Sequence, residues 1–200
     1  MRHPVSVVIP TIESRLDFLM KSCLPSVYAN RPSQVIVVGG DDWNGNEKRN
    51  SGAQAARQPY LLFVDDDSAP TANAVERMLA VIQSTGADIV YGCYRFTVAC
   101  KTDFKPPVGL ISPGKWNPDR LKRENYIATT SLIRASAFPG FDPKILRFQD
   151  WDLWLTMAAA GARGVYIPDL VVEKFVIDQG ISARVPEDEA RTAIARKHGL

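Results

Sequence analysis

The chain has 200 residues, 46% of them hydrophobic and 23% charged, with a formal net charge of +2. That balance excludes a disordered chain, and so small a charge leaves no electrostatic footprint for a polyanion binder. The three cysteines, Cys23, Cys93 and Cys100, show no C-x-x-C spacing, and with only His3 and His198 beside them they argue against a zinc site.

Val5–Ile9 is a short β-branched run and predicts a buried strand. From Ser14 to Asn30, Leu16, Leu19, Met20, Cys23, Leu24 and Val27 recur at helical spacing, and Pro25 is expected to kink or split the helix. Val35–Val38 predicts a second strand, ended by Gly39 and Gly40. Asn46–Gln58 reads as a polar helix and Tyr60–Val64 as a third strand. A helix is expected over Thr71–Thr85, with Thr71 as N-cap and Gly86 as its stop. Asp88–Ala99 predicts a long strand.

Lys101–Glu124 contains Pro106, Pro107, Pro113, Pro118, Gly109 and Gly114, which predicts a long loop. Such a loop within a compact domain is usually functional, and closure over a ligand is the expectation here. Arg120, Lys122 and Arg123 form its only basic cluster and read as a solvated face. Tyr126–Arg134 predicts a strand. Asp150–Ala160 is apolar nearly all round, hence a buried helix, closed by Gly161. Val165–Pro168 and Val171–Ile177 are expected as short strands, and Glu187–His198 as a polar helix.

Apolar strands separated by helices imply an α/β fold with a mostly parallel sheet covered on both faces. In such sheets ligands bind at the carboxyl ends of strands, here the loops after Ile9, Val38 and Val64. The length suits one domain, able to bury roughly 70% of the surface exposed on unfolding. The first apolar run is too short for a signal peptide, and no stretch reaches the roughly 20 apolar residues of a membrane span. With the sparse cysteines, this predicts a soluble cytoplasmic protein.

The sharpest motif is Tyr60-Leu-Leu-Phe-Val followed by Asp65, Asp66 and Asp67. A buried strand delivers three carboxylates to a ligand-binding edge. Two like charges about 6 Å apart repel by roughly 3 kcal/mol at an effective dielectric near 20, which calls for a cation. Oxygen ligands suit Mg²⁺ or Mn²⁺. The Asp-x-Asp spacing alone is common, and Asp150-Trp151-Asp152 repeats it. Thr11, Glu13 and Arg15 after the first strand offer a hydroxyl, a carboxylate and a guanidinium for a base and a phosphate, although Ser14 could make this loop a plain helix cap. Asp41 and Asp42 could accept bonds from a nucleobase or ribose, or form a polar turn. Arg49, Asn50 and Gly52 fit nucleotide binding as well as a solvated helix with a packing glycine. Asp150 opens a buried helix, where it could cap the terminus and also accept a proton.

Together, and in this order, these segments resemble glycosyltransferase family 2 with its GT-A fold, from Val5 to about Pro168. Val5-Ser-Val-Val-Ile-Pro-Thr11 is similar to the family's opening strand. Arg49-Asn50-x-Gly52, then Asp65-x-Asp67 and Pro70, resembles its central signature. Gly140-Phe141-Asp142, then Gln149-Asp150-Trp151-Asp152-Leu153-Trp154 and Gly161, resembles its acceptor-side signature. The resemblance implies a single GT-A domain over residues 1–200, with a nucleotide-sugar-binding half (1–100) and an acceptor-side half (101–200). It implies an inverting, hexosyltransferase-type enzyme using a nucleotide-sugar, with UDP the expected nucleotide. On that basis Asp65 contacts the ribose and Asp67, with Asp65, binds Mn²⁺ or Mg²⁺. Thr11, Glu13, Arg15, Asp41, Asp42, Arg49, Asn50 and Asp66 hold the donor, and Asp150 is the general base.

Three departures stand out. Gly39-Gly40-Asp41-Asp42 replaces the family's usual Asp-Asp-Gly-Ser, so either aspartate could meet the base. Glu173-Lys174 stands where a metal-binding histidine often follows the last core strand. The Gln-x-x-Arg-Trp of processive polymerases is absent, which predicts single, non-processive transfer. A nucleotidyltransferase would want a Gly-rich phosphate loop after the first strand, and Pro10-Thr11-Ile12-Glu13 is not one. The remaining alternatives are a non-catalytic sugar-nucleotide binder and a transferase with a nucleic-acid acceptor, to which the net charge lends little support.

Overall fold

A computed structural model describes residues 1–98, 109–176 and 185–200. Cys100, Ala99, Ile177 and the first part of the Lys101–Glu124 loop lie outside the described residues.

The chain opens with β1 (His3–Pro10). A 3₁₀ turn (Glu13–Arg15), α1 (Leu16–Phe18), a π turn (Leu19–Cys23) and α2 (Leu24–Ala29) follow. The predicted helix is thus split. Pro25 has no N–H to bond back to Lys21 and its ring crowds that carbonyl, so the preceding turn widens. Then come β2 (Pro32–Val38), α3 (Gly45–Ala55), β3 (Tyr60–Phe63), β4 (Ser68–Pro70), α4 (Ala74–Thr85) and β5 (Ile89–Val98). The remainder of the chain forms β6 (Leu110–Ile111), α5 (Pro118–Leu121), β7 (Leu132–Arg134), a 3₁₀ turn (Ala135–Ala137), α6 (Gln149–Ala159), β8 (Gly164–Val176) and α7 (Glu187–His198).

The sheet runs β2-β1-β3-β7-β5-β8-β4, with β6 on β5. β1 pairs in parallel with β2 and β3, and β5 with β8. β7 pairs antiparallel with both β3 and β5, and β4 pairs antiparallel with β8. The sheet is therefore more mixed than the sequence pattern predicts. A three-residue strand such as β7 carries no periodic signal of its direction.

Both faces are covered, as expected. Along β1, Val5, Val7 and Ile9 enter one core with Met78 and Ile82 of α4. Val8 enters the other, with Trp151 and Trp154 of α6 and Ile194 of α7. This is the alternation of a pleated strand. Cys23 and Cys93 are buried and free, as small core residues.

Four local expectations are corrected. Thr71 does not cap α4: its hydroxyl donates to the Leu170 carbonyl, and the helix begins after Asn73, whose backbone is left-handed. Of Tyr126–Arg134 only the last three residues join the sheet. Thr129, Thr130 and Ser131 are buried without ladder partners, and the Ser131 hydroxyl donates to Ala128 instead. The two short strands expected around Pro168 are one, β8, whose register with β5 slips near Cys93. A Cβ on Gly92 would stand 2.6 Å from the Asp169 carbonyl, so the slip needs glycine there. Finally, the predicted 101–124 loop contains β6 and α5. No helix among the described residues is long and apolar enough to cross a membrane.

Candidate active site

The carboxyl ends of β1 and β3 meet in a cleft lined by Thr11, Arg15, Asn46, Lys48, Arg49, Asp65, Asp66, Asp67 and Gln149, among others. β3 ends at Phe63. The Asp65 carbonyl then accepts the Ser68 N–H at 2.9 Å, a tight turn that precedes β4. The aspartate run is therefore separated from α4 by a strand and does not cap it.

Each carboxylate has its own partners. Arg49 Nη2 donates to Asp65 Oδ1 at 2.6 Å, and Lys174 Nζ lies 3.8 Å from Asp65 Oδ2. Asp66 accepts from the Thr11 hydroxyl at 2.8 Å and from Arg15 Nη1 at 3.0 Å. Asp67 receives Arg15 Nη1 at 3.3 Å and the Ser68 hydroxyl at 3.3 Å. The repulsion within the run is thus met by three cations of the chain itself, Arg15, Arg49 and Lys174.

The balance is uneven. Burial alone would raise the Asp65 carboxyl, but Arg49, Lys174 and Arg15 outweigh it and hold Asp65 below the usual carboxylate range. Burial prevails at Asp66, which sits above that range despite Arg15 and Thr11. Burial, and next the charge of Asp65, push Asp67 up to about 6. The Cys23 thiol below them is pushed up to about 12 by burial and by the same carboxylates, so it is an inert neighbour.

α3 holds the opposite wall, and its buried face is polar: Asn46, Lys48, Arg49 and Gly52. Asn44 caps it in a reciprocal capping box with Glu47. Gly52 packs on β1, where a Cβ would stand 2.3 Å from Val8 Cγ1. Lys48 Nζ donates to the Thr11 carbonyl at 2.7 Å, and burial lowers its pKa against the pull of Asp41 and Asp66. Asn46 donates to the Asp142 and Ile145 carbonyls, each at 2.8 Å. Asn50 donates to the Phe141 carbonyl and accepts its N–H, both at 2.8 Å. The structure therefore does not bring Asn50 into the cleft; it fastens the Gly140-Phe141-Asp142 segment to α3.

Around the first loop, Glu13, Asp41 and Asp42 are exposed. The Glu13 N–H points at Asp41 Oδ1 at 3.4 Å, so Asp41 is the aspartate that faces this loop. Ser14 lies inside the 3₁₀ turn and makes no cap.

On the other side, α6 starts after Phe148, whose left-handed backbone (φ 62°) turns the chain into the helix. Phe148, not Asp150, holds the cap position. Asp150 sits in the first turn, where Oδ1 accepts from Asn125 Nδ2 at 2.8 Å and from the Trp151 N–H at 2.9 Å. Oδ2 accepts from the Thr129 hydroxyl at 3.3 Å. Asn125 Oδ1 is buried without a partner among the described residues.

Lys174 stands beside the aspartate run. Burial would lower its pKa, yet Asp65, Asp150 and Asp67, with Tyr94, outweigh burial and keep the ammonium charged. Sequence reading placed Lys174 near the site without a role, and it missed Asn125 and Thr129. Asn46 and Lys48 lie in the Asn46–Gly52 segment it singled out but received no role of their own, because a polar helix shows no apolar stripe to mark its buried face. No group of three or more His, Cys, Asp and Glu among the described residues is arranged to hold a metal ion. An ion here would take its remaining ligands from substrate and water.

The profile of glycosyl transferase family 2 matches residues 25–147. No curated protein matches the sequence significantly. Among solved structures, S. aureus TarS 1–349 in complex with UDP-GlcNAc shares the fold with a TM-score of 0.70 at 13% identity, covering 99% of this chain and 65% of that one. S. aureus TarS gives 0.65 at 15% identity, with 98% and 39% covered, and TarS 1–349 in complex with UDP gives 0.60 at 15%, with 88% and 61% covered. The chain thus spans less than two thirds of the length of these structures. The shared architecture is the GT-A fold expected from the resemblance. Since the profile spans more than half of its 200 residues, the chain belongs to glycosyl transferase family 2.

Proposed function

We propose that the chain moves a sugar from a nucleoside-diphosphate sugar to an acceptor hydroxyl in a single, non-processive step, inverting the anomeric carbon. One observation carries this reading: the carboxyl ends of β1 and β3 gather Arg15, Lys48, Arg49 and the carboxylates Asp65, Asp66 and Asp67 in one cleft, with Gln149, the residue before Asp150, on its wall. We infer uridine as the base because TarS, of the same fold, has structures in complex with UDP-GlcNAc and UDP.

Thr11, Glu13 and Asp41 would face the nucleoside, and Asp65 the ribose. Arg15 and Arg49 hold the aspartate run in place beside the diphosphate. Asp66 has a holding role: it pins Thr11 and Arg15 and thereby shapes the first loop. During transfer the acceptor oxygen forms a bond to the anomeric carbon, and its proton passes to Asp150. The bond from that carbon to the β-phosphate oxygen breaks, and its electron pair leaves with the diphosphate. Asn125 and the Trp151 N–H fix Asp150 Oδ1, while Oδ2 takes only the longer 3.3 Å bond from Thr129 and is the oxygen that receives the proton. A base so placed contributes about 10²–10⁴-fold.

Mn²⁺ or Mg²⁺ is the ion proposed for this site. Asp67 fits it best: its carboxyl is raised by burial and has Arg15 as its one salt-bridge partner among the described residues, so it gains most from added positive charge. Asp65 fits less well, being bonded to Arg49 and facing Lys174. Bound at Asp67, such an ion would neutralise charge on the diphosphate.

A thermal-shift panel of nucleotide-sugars with Mn²⁺, followed by an assay for released nucleotide, tests the proposal. A UDP-sugar is expected to raise the melting temperature and to be turned over. A panel without any shift overturns it, and binding without release of nucleotide points to a non-catalytic binder.

A further inference from the structure

The sequence puts Lys174 on β8, and the sheet decides where it goes. Lys174 stands opposite Ser68 in the β4–β8 ladder, and the neighbouring Phe175 N–H donates to the Asp67 carbonyl at 2.7 Å. The backbone carrying the lysine is therefore bonded to the backbone carrying the carboxylates. Its position cannot drift from theirs without breaking sheet hydrogen bonds.

The side chain is mostly buried, 18% exposed, and its Nζ approaches Asp65 Oδ2 at 3.8 Å. That distance is an ion pair and not a hydrogen bond. The ammonium has three N–H donors. No hydrogen bond from Nζ to another described residue is formed. A charged, partly desolvated lysine with open donors, fixed beside the carboxylate run by the edge strand β4, suits a phosphate oxygen.

The neighbours have already taken other duties. Arg49 is spent on Asp65, and Arg15 is divided between Asp66 and Asp67. Lys48 is turned to the Thr11 carbonyl. Of these cations, Lys174 alone has only a loose contact.

We propose that Lys174 is a cation built into the donor site, which holds the diphosphate of the nucleotide and takes up part of the negative charge that develops as it departs. The inference rests on the proposed nucleotide-sugar reading. Its consequence is that diphosphate binding does not depend wholly on a divalent ion. When the carbon–oxygen bond to the β-phosphate breaks, the electron pair settles on a phosphate oxygen facing the ammonium. The acceptor proton goes to Asp150, so Lys174 neither gains nor loses a proton.

The test is calorimetric titration of uridine and UDP into the full chain, with excess EDTA or with Mn²⁺. In EDTA, UDP is expected to bind at least about tenfold more tightly than uridine, the scale of one charge-assisted hydrogen bond. Lys174→Met should abolish most of that difference in EDTA while leaving uridine binding unchanged. Lys174→Arg should preserve it. Circular dichroism melting checks that the variants fold, and the wild-type comparison in EDTA is decisive without them. Equal affinity of UDP and uridine in EDTA overturns the inference, as does a Lys174→Met loss that is the same for both ligands. If UDP binds only with Mn²⁺, the inference falls and the proposed function stands. If neither ligand binds under any condition, both fall.

Discussion

Arg49 on α3 and Asp65 after β3 are joined by a 2.6 Å charge-assisted hydrogen bond, and the arginine is 6% exposed. The bond makes the helix before the strand and the loop after it one rigid wall of the cleft. Removing one partner of such a pair leaves a charge stranded in a desolvated place.

Arg49→Ala should therefore destabilise the protein by about 3 kcal/mol. Urea unfolding followed by circular dichroism measures this, and an unmoved midpoint would show that Lys174 alone suffices to balance Asp65.

Asp150→Asn should keep nucleotide affinity and lower turnover by about 10²–10⁴-fold, because the amide cannot take the acceptor proton. Calorimetry and a turnover assay on the same preparation separate the two effects. Surviving turnover would remove Asp150 from the role of base.

Asp67→Asn should abolish the gain in UDP affinity that Mn²⁺ brings and leave the metal-free affinity in place. A gain of the same size in the variant would place the ion elsewhere.

Gly52→Ala should cost about 1–3 kcal/mol, since the new methyl would overlap Val8, 2.3 Å away. Combining it with Val8→Ala should cost less than the two changes summed, because the second makes room for the first. Strict additivity in thermal melts would mean that α3 shifts away from β1 instead.

Lys197 on α7 bonds Asp142 at 2.8 Å and Asp152 at 2.9 Å, so it clasps the terminal helix to α6 and to the segment before it. The Lys197 bond and the Lys144 N–H hold Asp142 below the usual carboxylate range. That stability is present above about pH 4 and lost as the pH falls through the depressed folded value. Burial would lower Lys197, but Asp142 and Asp152 outweigh it and raise the lysine above 10.5. That contribution is present below about pH 10.5 and lost as the pH climbs through the raised folded value. The stability difference between wild type and Lys197→Met should shrink at both ends, below about pH 4 and above about pH 10.5. Urea midpoints across the range check this, and a difference that persists unchanged to about pH 3 would rule the clasp out.

Much of the layout was legible because it rests on local chemistry. The β-branched run Val5–Ile9, the stop at Gly86 and the span of α7 each follow from propensity and glycine geometry. The aspartate run was legible because an apolar strand announces its own end. What escaped depended on distant neighbours. Asn50 looks like a ligand contact in sequence, yet it satisfies the backbone of Phe141, far along the chain. Lys174 is an ordinary strand lysine until β4 brings Asp67 beside it. The orientation of β7 was equally hidden, because three residues cannot advertise a partner.

That strand has a bearing on how the protein comes into being. Leu132–Arg134 fill the gap between β3 and β5, pairing with Leu62 and Val90 from either side. Until they have been synthesised, two apolar strands stand with open amide edges, a template for aggregation. A chain growing from the ribosome passes through this stage with most of the residues that line the cleft already made. The vulnerable interval ends only when the later segment threads in, and a long-range closure of that kind is slow. Chaperone capture or early proteolysis during synthesis should therefore concentrate on the exposed flanks of β3 and β5.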